Sequence, residues 1–206
     1  MTRNNCLLIG LTGGIATGKS TVSGLLLEKG YKIIDADIIS REVVKVGKSA
    51  YNDIVNTFGL RILMDDRSIN RKKLGRLIFN SSILQDALNN IVHPRVFEEI
   101  KLQINKYCHG NRIIFLDIPL LFEAYNRTEE YGIVFDEIWL VYTDKENQLK
   151  RLMQRDKIGK EEALSKINSQ LSLEDKIDKS TRVLINNGDI HLLEENLNKL
   201  LEEIEK

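Results

Sequence analysis

Apolar residues gather into five short runs along the chain: CLLIGLT at 6–12, YKIID at 31–35, RIIFLD at 112–117, EIWLVYT at 137–143 and TRVLINN at 181–187. Each is too short for a core helix and is bounded by glycine or polar residues, which suits strands buried on both faces. Between the runs the apolar spacing changes to three and four, beginning with GKSTVSGLLLEKG, where Gly30 is placed to end a helix. Strands that alternate with helices predict a parallel sheet with helices on both sides, an α/β three-layer sandwich of five strands.

Two stretches break this rhythm. Residues 38–109 hold no strong strand, only helix-like pieces such as DIISREVVKV, AYNDIVNTF, INRKKLGRLIF and PRVFEEIKLQINKY. That is too much chain for one crossover, so a helical insertion is expected there. Residues 144–179 are highly charged, offer few large apolar anchors and read as a solvated helical hairpin. The remaining segments, 1–37, 110–143 and 180–206, make up the α/β core.

Composition narrows the class. At 206 residues the chain suits one domain with embellishments, and 42% hydrophobic with 29% charged residues is the balance of a globular protein. Thirty basic and thirty acidic residues cancel, so no global field draws it to nucleic acid or to a membrane, and neither is expected as a partner. No apolar run approaches a membrane span, and MTRNNCLLIGLTGG lacks a cleavage pattern, so the start reads as mature sequence and the location as cytoplasmic. Cys6 and Cys108 are too few for a disulfide framework and are expected to be two structural thiols in a reducing compartment.

The chemistry begins at GLTGGIATGKST, residues 10–21, which places four glycines in nine positions directly after a strand. Gly13-x4-Gly18-Lys19-Ser20 matches the P-loop pattern, with the required strand before it and helix after it. There the bare backbone is the binding surface, because successive N–H groups and a helix N-terminus converge on phosphate oxygens. Gly13, Gly14, Ala16, Thr17, Gly18, Lys19, Ser20 and Thr21 are thus the candidate contacts of ATP, with Lys19 on the β and γ phosphates and the Ser20 hydroxyl on Mg²⁺. Asp35 and Asp37 in IIDADII follow the second strand, where ligands sit in open α/β sheets. If that strand continues, one of them suits the metal and the other an acceptor hydroxyl, unless one merely caps the next helix. Asp117 ends its strand as a Walker-B aspartate does, a position that also suits a turn. Lys150, Arg151, Arg155, Lys157 and Lys160 form a basic cluster. Arg151 and Arg155 are spaced to share a helix face, which suits either a clamp on phosphates or a plain solvated face.

Taken together, LTGGIATGKST, DADIISR, INRKKLGRLIF, HPRV, DIPLLFE, QLKRLMQRD and INNG, in order over residues 7 to 188, closely resemble the dephospho-CoA kinase family. The resemblance implies a P-loop kinase that uses ATP and Mg²⁺ to phosphorylate the ribose 3′-hydroxyl of dephospho-coenzyme A, with small molecules as its partners. It makes Asp37 the catalytic base and turns Arg151 and Arg155 into lid residues that close over ATP. It places Asn187 and Gly188 at the adenine ring, and Arg41, His93, Pro94 and Arg95 in the acceptor domain at 38–109. Ser20, Asp35 and Asp117 remain as the metal candidates, and His93 before proline also suits a helix boundary. The loop departs from the family's usual GIGSGKS, so Ala16 stands at a position that costs energy if the backbone there has positive φ. The segment 124–137 looks longer than usual. A kinase of another small acceptor is the rival among enzymes, whereas a GTP-driven switch would need an N-K-x-D motif that the chain lacks.

Overall fold

The computed structural model describes residues 6–79 and 81–205. Five strands form one sheet: β1 Leu7–Gly13, β2 Lys32–Asp35, β3 Ile113–Asp117, β4 Glu137–Tyr142 and β5 Arg182–Ile185, in the order β2-β3-β1-β4-β5. β1 lies parallel to both β3 and β4, and β4 parallel to β5, with Leu11 opposite Asp117 on one side and Trp139 on the other. Central β1 is almost wholly buried, because both faces of a parallel sheet are covered by helices.

Alternation along the strands sorts the core. Ile9, Leu11, Ile113, Phe115, Trp139, Val141 and Leu184 point to the face packed by helices α1, Lys19–Glu28, and α10, Ile190–Glu205. α10 offers Leu193, Leu197 and Leu201, one stripe at a spacing of four, all buried and each contributing about 2 kcal/mol by leaving water. Phe115 meets Trp139 and Tyr31 edge-on, at ring separations of 5.3 and 5.6 Å. On the opposite face Leu8, Ile114, Leu116, Ile138 and Leu140 are also buried.

The described chain divides into two compact units, one through Ile34 together with Asn105 onward, the other Asp35–Ile104. The second unit is built from helices α2 Ala36–Glu42, α3 Ser49–Phe58 and α4 Arg71–Ile78, and from most of α5, Ser82–Cys108. Its own core gathers Ile54, Phe58, Ile62 and Leu74, with Ile69, Leu77, Leu88 and Ile91 against them. In the first unit, α6 Tyr125–Glu130 precedes β4, and α7 Lys145–Asp156, α8 Lys160–Asn168 and α9 Leu173–Ile177 stand between β4 and β5.

Three sequence expectations change. Cys6 and Cys108 are paired as a disulfide, their Cα atoms 5.4 Å apart, so the cysteine count is no ground for a reducing compartment. Sequence separation hid this contact; it arises because β1 and β3 run side by side and α5 ends just before β3. His93 is not at a helix boundary. α5 runs through Pro94, which frees the carbonyl four residues earlier, and His93 packs edge-on to Phe97 within the helix. The second strand does not continue past Asp35, because α2 starts at Ala36. Among the described residues no helix is long and apolar enough to cross a membrane.

Candidate active site

β1 ends at Gly13 and α1 begins at Lys19, so the loop between them is held at both ends by core elements. Two backbone positions lie in the left-handed region, Ala16 at φ 60° and Gly18 at φ 95°. Gly18 caps α1 without a side-chain bond, and a Cβ there would come within 2.1 Å of Asn186 Nδ2, so the position demands glycine twice over. Asn186 is buried and donates to the Thr17 carbonyl at 2.8 Å. Among the described residues, the N–H groups of Ala16, Gly18, Lys19 and Ser20 make no hydrogen bond. Four open donors at the positive end of a ten-residue helix form an anion site.

Lys19 Nζ pairs with the Asp117 carboxylate, whose second oxygen accepts from Ser23 Oγ at 2.7 Å. Asp117 is buried to 3% exposure at the end of β3, so the strand-end aspartate holds the P-loop lysine and the first helix together. Asp144 caps α7, its carboxyl held below the usual range chiefly by the Asn147 backbone N–H. Asn187 Oδ1 accepts from the Asp144 N–H at 2.8 Å and from Thr143 Oγ1 at 3.0 Å, which ties the chain after β5 to the start of α7.

The two arginines of α7 differ. Arg155 is exposed and pairs with Asp156 at 2.8 Å, a bond that lowers the Asp156 carboxyl pKa. Arg151 buries its Nη1 atom with no hydrogen bond among the described residues. A buried guanidinium nitrogen without an acceptor costs energy until an anion reaches it, so Arg151 is the arginine suited to a phosphate.

The second unit carries the other candidates. Asp35 accepts the Ile38 N–H at 2.8 Å and caps α2, which places Asp37 in the first turn of that helix and Arg41 in its last. Arg95 is fully engaged within the unit: it pairs with Asp53, donates to the Ile91 carbonyl at 2.7 Å and contacts Ser49 Oγ at 3.4 Å. Asp35 therefore takes the capping role that the sequence left open. No group of three His, Cys, Asp or Glu residues suited to a metal ion occurs among the described residues. A cation held by Ser20, one carboxylate and phosphate oxygens needs no such group.

Sequence reasoning passed over Asn186, Gln148 and Gln170. Asn186 precedes the asparagine that drew attention, and Gln148 lies four residues before Leu152 on the buried face of α7. A polar residue in a buried helical stripe was the available signal.

The dephospho-CoA kinase family model matches residues 7–191. A dephospho-CoA kinase of Carboxydothermus hydrogenoformans is 44% identical over 95% of this chain and 93% of its own length. One from Bacillus cereus is 45% identical over 89% of this chain and 90% of its own. Among solved structures, a dephospho-CoA kinase from Campylobacter jejuni aligns with TM-score 0.72 at 31% identity, covering 96% of both chains. Shikimate kinase from Bacteroides thetaiotaomicron, at TM-score 0.52 and 15% identity over 97% of this chain and 99% of its own, shares the fold alone. With its open phosphate cradle and its match along nearly the whole length, the chain belongs to the dephospho-CoA kinase family.

Proposed function

We propose that this chain transfers the γ-phosphoryl group of ATP to the ribose 3′-hydroxyl of dephospho-coenzyme A, giving coenzyme A and ADP. The observation that carries this reading, beside the family, is the set of open N–H donors at Ala16, Gly18, Lys19 and Ser20 in the same unit as the unpaired Arg151 Nη1. Such donors are aimed before the reaction at charge that develops during it, so they need no reorganisation.

The loop N–H groups bind the β and γ phosphates, and Lys19 exchanges Asp117 for phosphate oxygen when ATP arrives. Ser20 Oγ and the Asp117 carboxylate are hard oxygen donors that would hold Mg²⁺, and the ion would offset the charge of the phosphates. Arg151 takes the transferring phosphoryl oxygens. Asp37 orients the acceptor hydroxyl and receives its proton, with Arg41, His93 and Pro94 lining the acceptor's path. Asn187 and Gly188 flank the adenine, and residues 144–179 act as the lid that keeps water from the γ-phosphate.

An ADP-release assay with dephospho-CoA set against AMP, adenosine and shikimate tests the acceptor. Turnover should be highest with dephospho-CoA, and equal or better turnover with any other acceptor overturns the assignment. Asp37→Asn keeps the side chain's shape and removes its proton-accepting charge, so kcat should fall on the order of a hundredfold while ATP affinity stays put. Loss within about threefold at saturating Mg²⁺ removes Asp37 from the mechanism.

A further inference from the structure

The P-loop is held from outside by the segment between β4 and β5. Gln148 of α7 donates from Nε2 to the Ile15 carbonyl at 2.8 Å, and Gln170 accepts the Ile15 N–H on Oε1 at 2.8 Å. Both polar atoms of one peptide residue at the tip of the loop are thus taken by two side chains more than 130 positions away. Gly14 fits the same contact: a Cβ there would lie 2.9 Å from Gln148 Nε2 and 3.0 Å from Leu173 Cδ2. Its missing side chain makes room for the lid base.

The clamp has a base of its own. Glu123 accepts the Leu171 N–H at 3.2 Å, next to Gln170 in the chain, and pairs at 2.9 Å with Lys176, which is fully buried. Glu123 follows β3, so the segment from 170 to 176 is pegged to the core while it holds the loop.

A peptide group is planar and trans, so its C=O and the following N–H point in opposite directions. Fixing the Ile15 carbonyl on Gln148 therefore aims the Ala16 N–H away from α7. Fixing the Ile15 N–H on Gln170 likewise turns the Gly14 carbonyl away from Gln170, and that carbonyl accepts Thr17 Oγ1 at 3.0 Å. The next residue, Ala16, sits at φ 60°, a conformation that alanine leaves when nothing enforces it. We propose that Gln148 and Gln170 are positioning residues, which set the phosphate-binding shape of the P-loop and make that shape depend on the lid segment.

This rests on the nucleotide site proposed above, and calorimetric titration of Mg·ATP into the full chain separates the two. Gln170→Ala should weaken ATP binding about tenfold, the upper range for one hydrogen bond, and raise KM for ATP but not for dephospho-CoA. Gln170→Glu keeps an oxygen acceptor and should stay within about threefold of wild type, whereas Gln148→Glu sets an acceptor against the Ile15 carbonyl and should lose more than tenfold. The two exchanges add the same charge and volume, so a packing role alone would not split them. Wild-type affinity in Gln170→Ala, tighter binding in either variant, or equal losses in the two glutamate variants overturns the clamp and leaves the site intact. Failure of the wild-type chain to bind ATP overturns both.

Discussion

Replacing Lys19 tests two roles at once, because the lysine that should meet ATP is also the partner of a buried carboxylate. Lys19→Met keeps most of the chain length and removes the charge. Asp117, 4% exposed at its side chain, then retains only Ser23 Oγ at 2.7 Å of the two bonds described above. Removing one partner of a fully buried pair costs about 3–5 kcal/mol. Lys19 is 15% exposed and Ser23 stays in place, so about 2–3 kcal/mol is expected here. For a chain of this size that lowers Tm by roughly 4–12 °C. Asp117→Asn in the same chain removes the carboxylate charge, and Lys19→Met with Asp117→Asn should recover most of the loss, a coupling that a double-mutant cycle of thermal melts measures directly. Turnover should behave differently: both chains that lack Lys19 should fall at least about a hundredfold, because no stability repair replaces the charge on the phosphates. A Lys19→Met chain that melts with wild type refutes the energetic role of the pair, and one that turns over like wild type refutes the P-loop assignment.

Ala16→Gly should relieve the left-handed alanine and stabilise the protein by about 1 kcal/mol, read as a higher Tm; an unchanged or lower Tm counts against strain at φ 60°. Arg151→Ala should lower kcat on the order of a hundredfold, whereas Arg155→Ala, which breaks an exposed pair with Asp156, should stay within about threefold; steady-state kinetics with the reverse order would exchange their roles. Acid stability should depend on Glu137: burial pushes its pKa up, but hydrogen bonds from Arg182 and Trp139 together outweigh this and leave it below 4.5. A depressed folded pKa means that the stabilisation is complete above about pH 4.5 and fades as pH falls through the folded value, so Glu137→Gln should flatten the acid limb of Tm against pH, and an unaltered limb contradicts the pairing.

The sheet was legible because buried parallel strands write themselves as short apolar runs: four of the five runs enclose the observed strands, and the first falls one residue short of the end of β1 at Gly13. The P-loop was legible for a different reason: its function needs particular backbone conformations, and glycine marks them. Even the doubt over Ala16 was readable, since the usual glycine there pointed to positive φ. Contacts that depend on where the fold brings distant residues were not. The Cys6–Cys108 pairing, the Asn186 bond to Thr17 and the two glutamines on Ile15 join positions that no local spacing relates. Pro94 misled for a local reason. Proline usually marks a helix boundary, yet the 27-residue α5 continues through it, with Leu88, Ile91 and Val92 packed against the second core before it and Val96, Phe97 and Ile100 buried after it. Asp35 shows the remaining limit, because a carboxylate at the end of a strand serves a cap, a metal or a substrate with the same side chain, and geometry alone separated the first of these.

The central claim is that the phosphate cradle serves transfer to one hydroxyl, and the position of the phosphate in the product tests it most directly. The chain is incubated with Mg·ATP and dephospho-CoA, and phosphorus–proton correlation NMR locates the new group. One new phosphomonoester coupled to the ribose H3′, formed in step with ADP, is the expected result. Phosphate coupled to any other position, or ADP accompanied only by orthophosphate, would contradict the account.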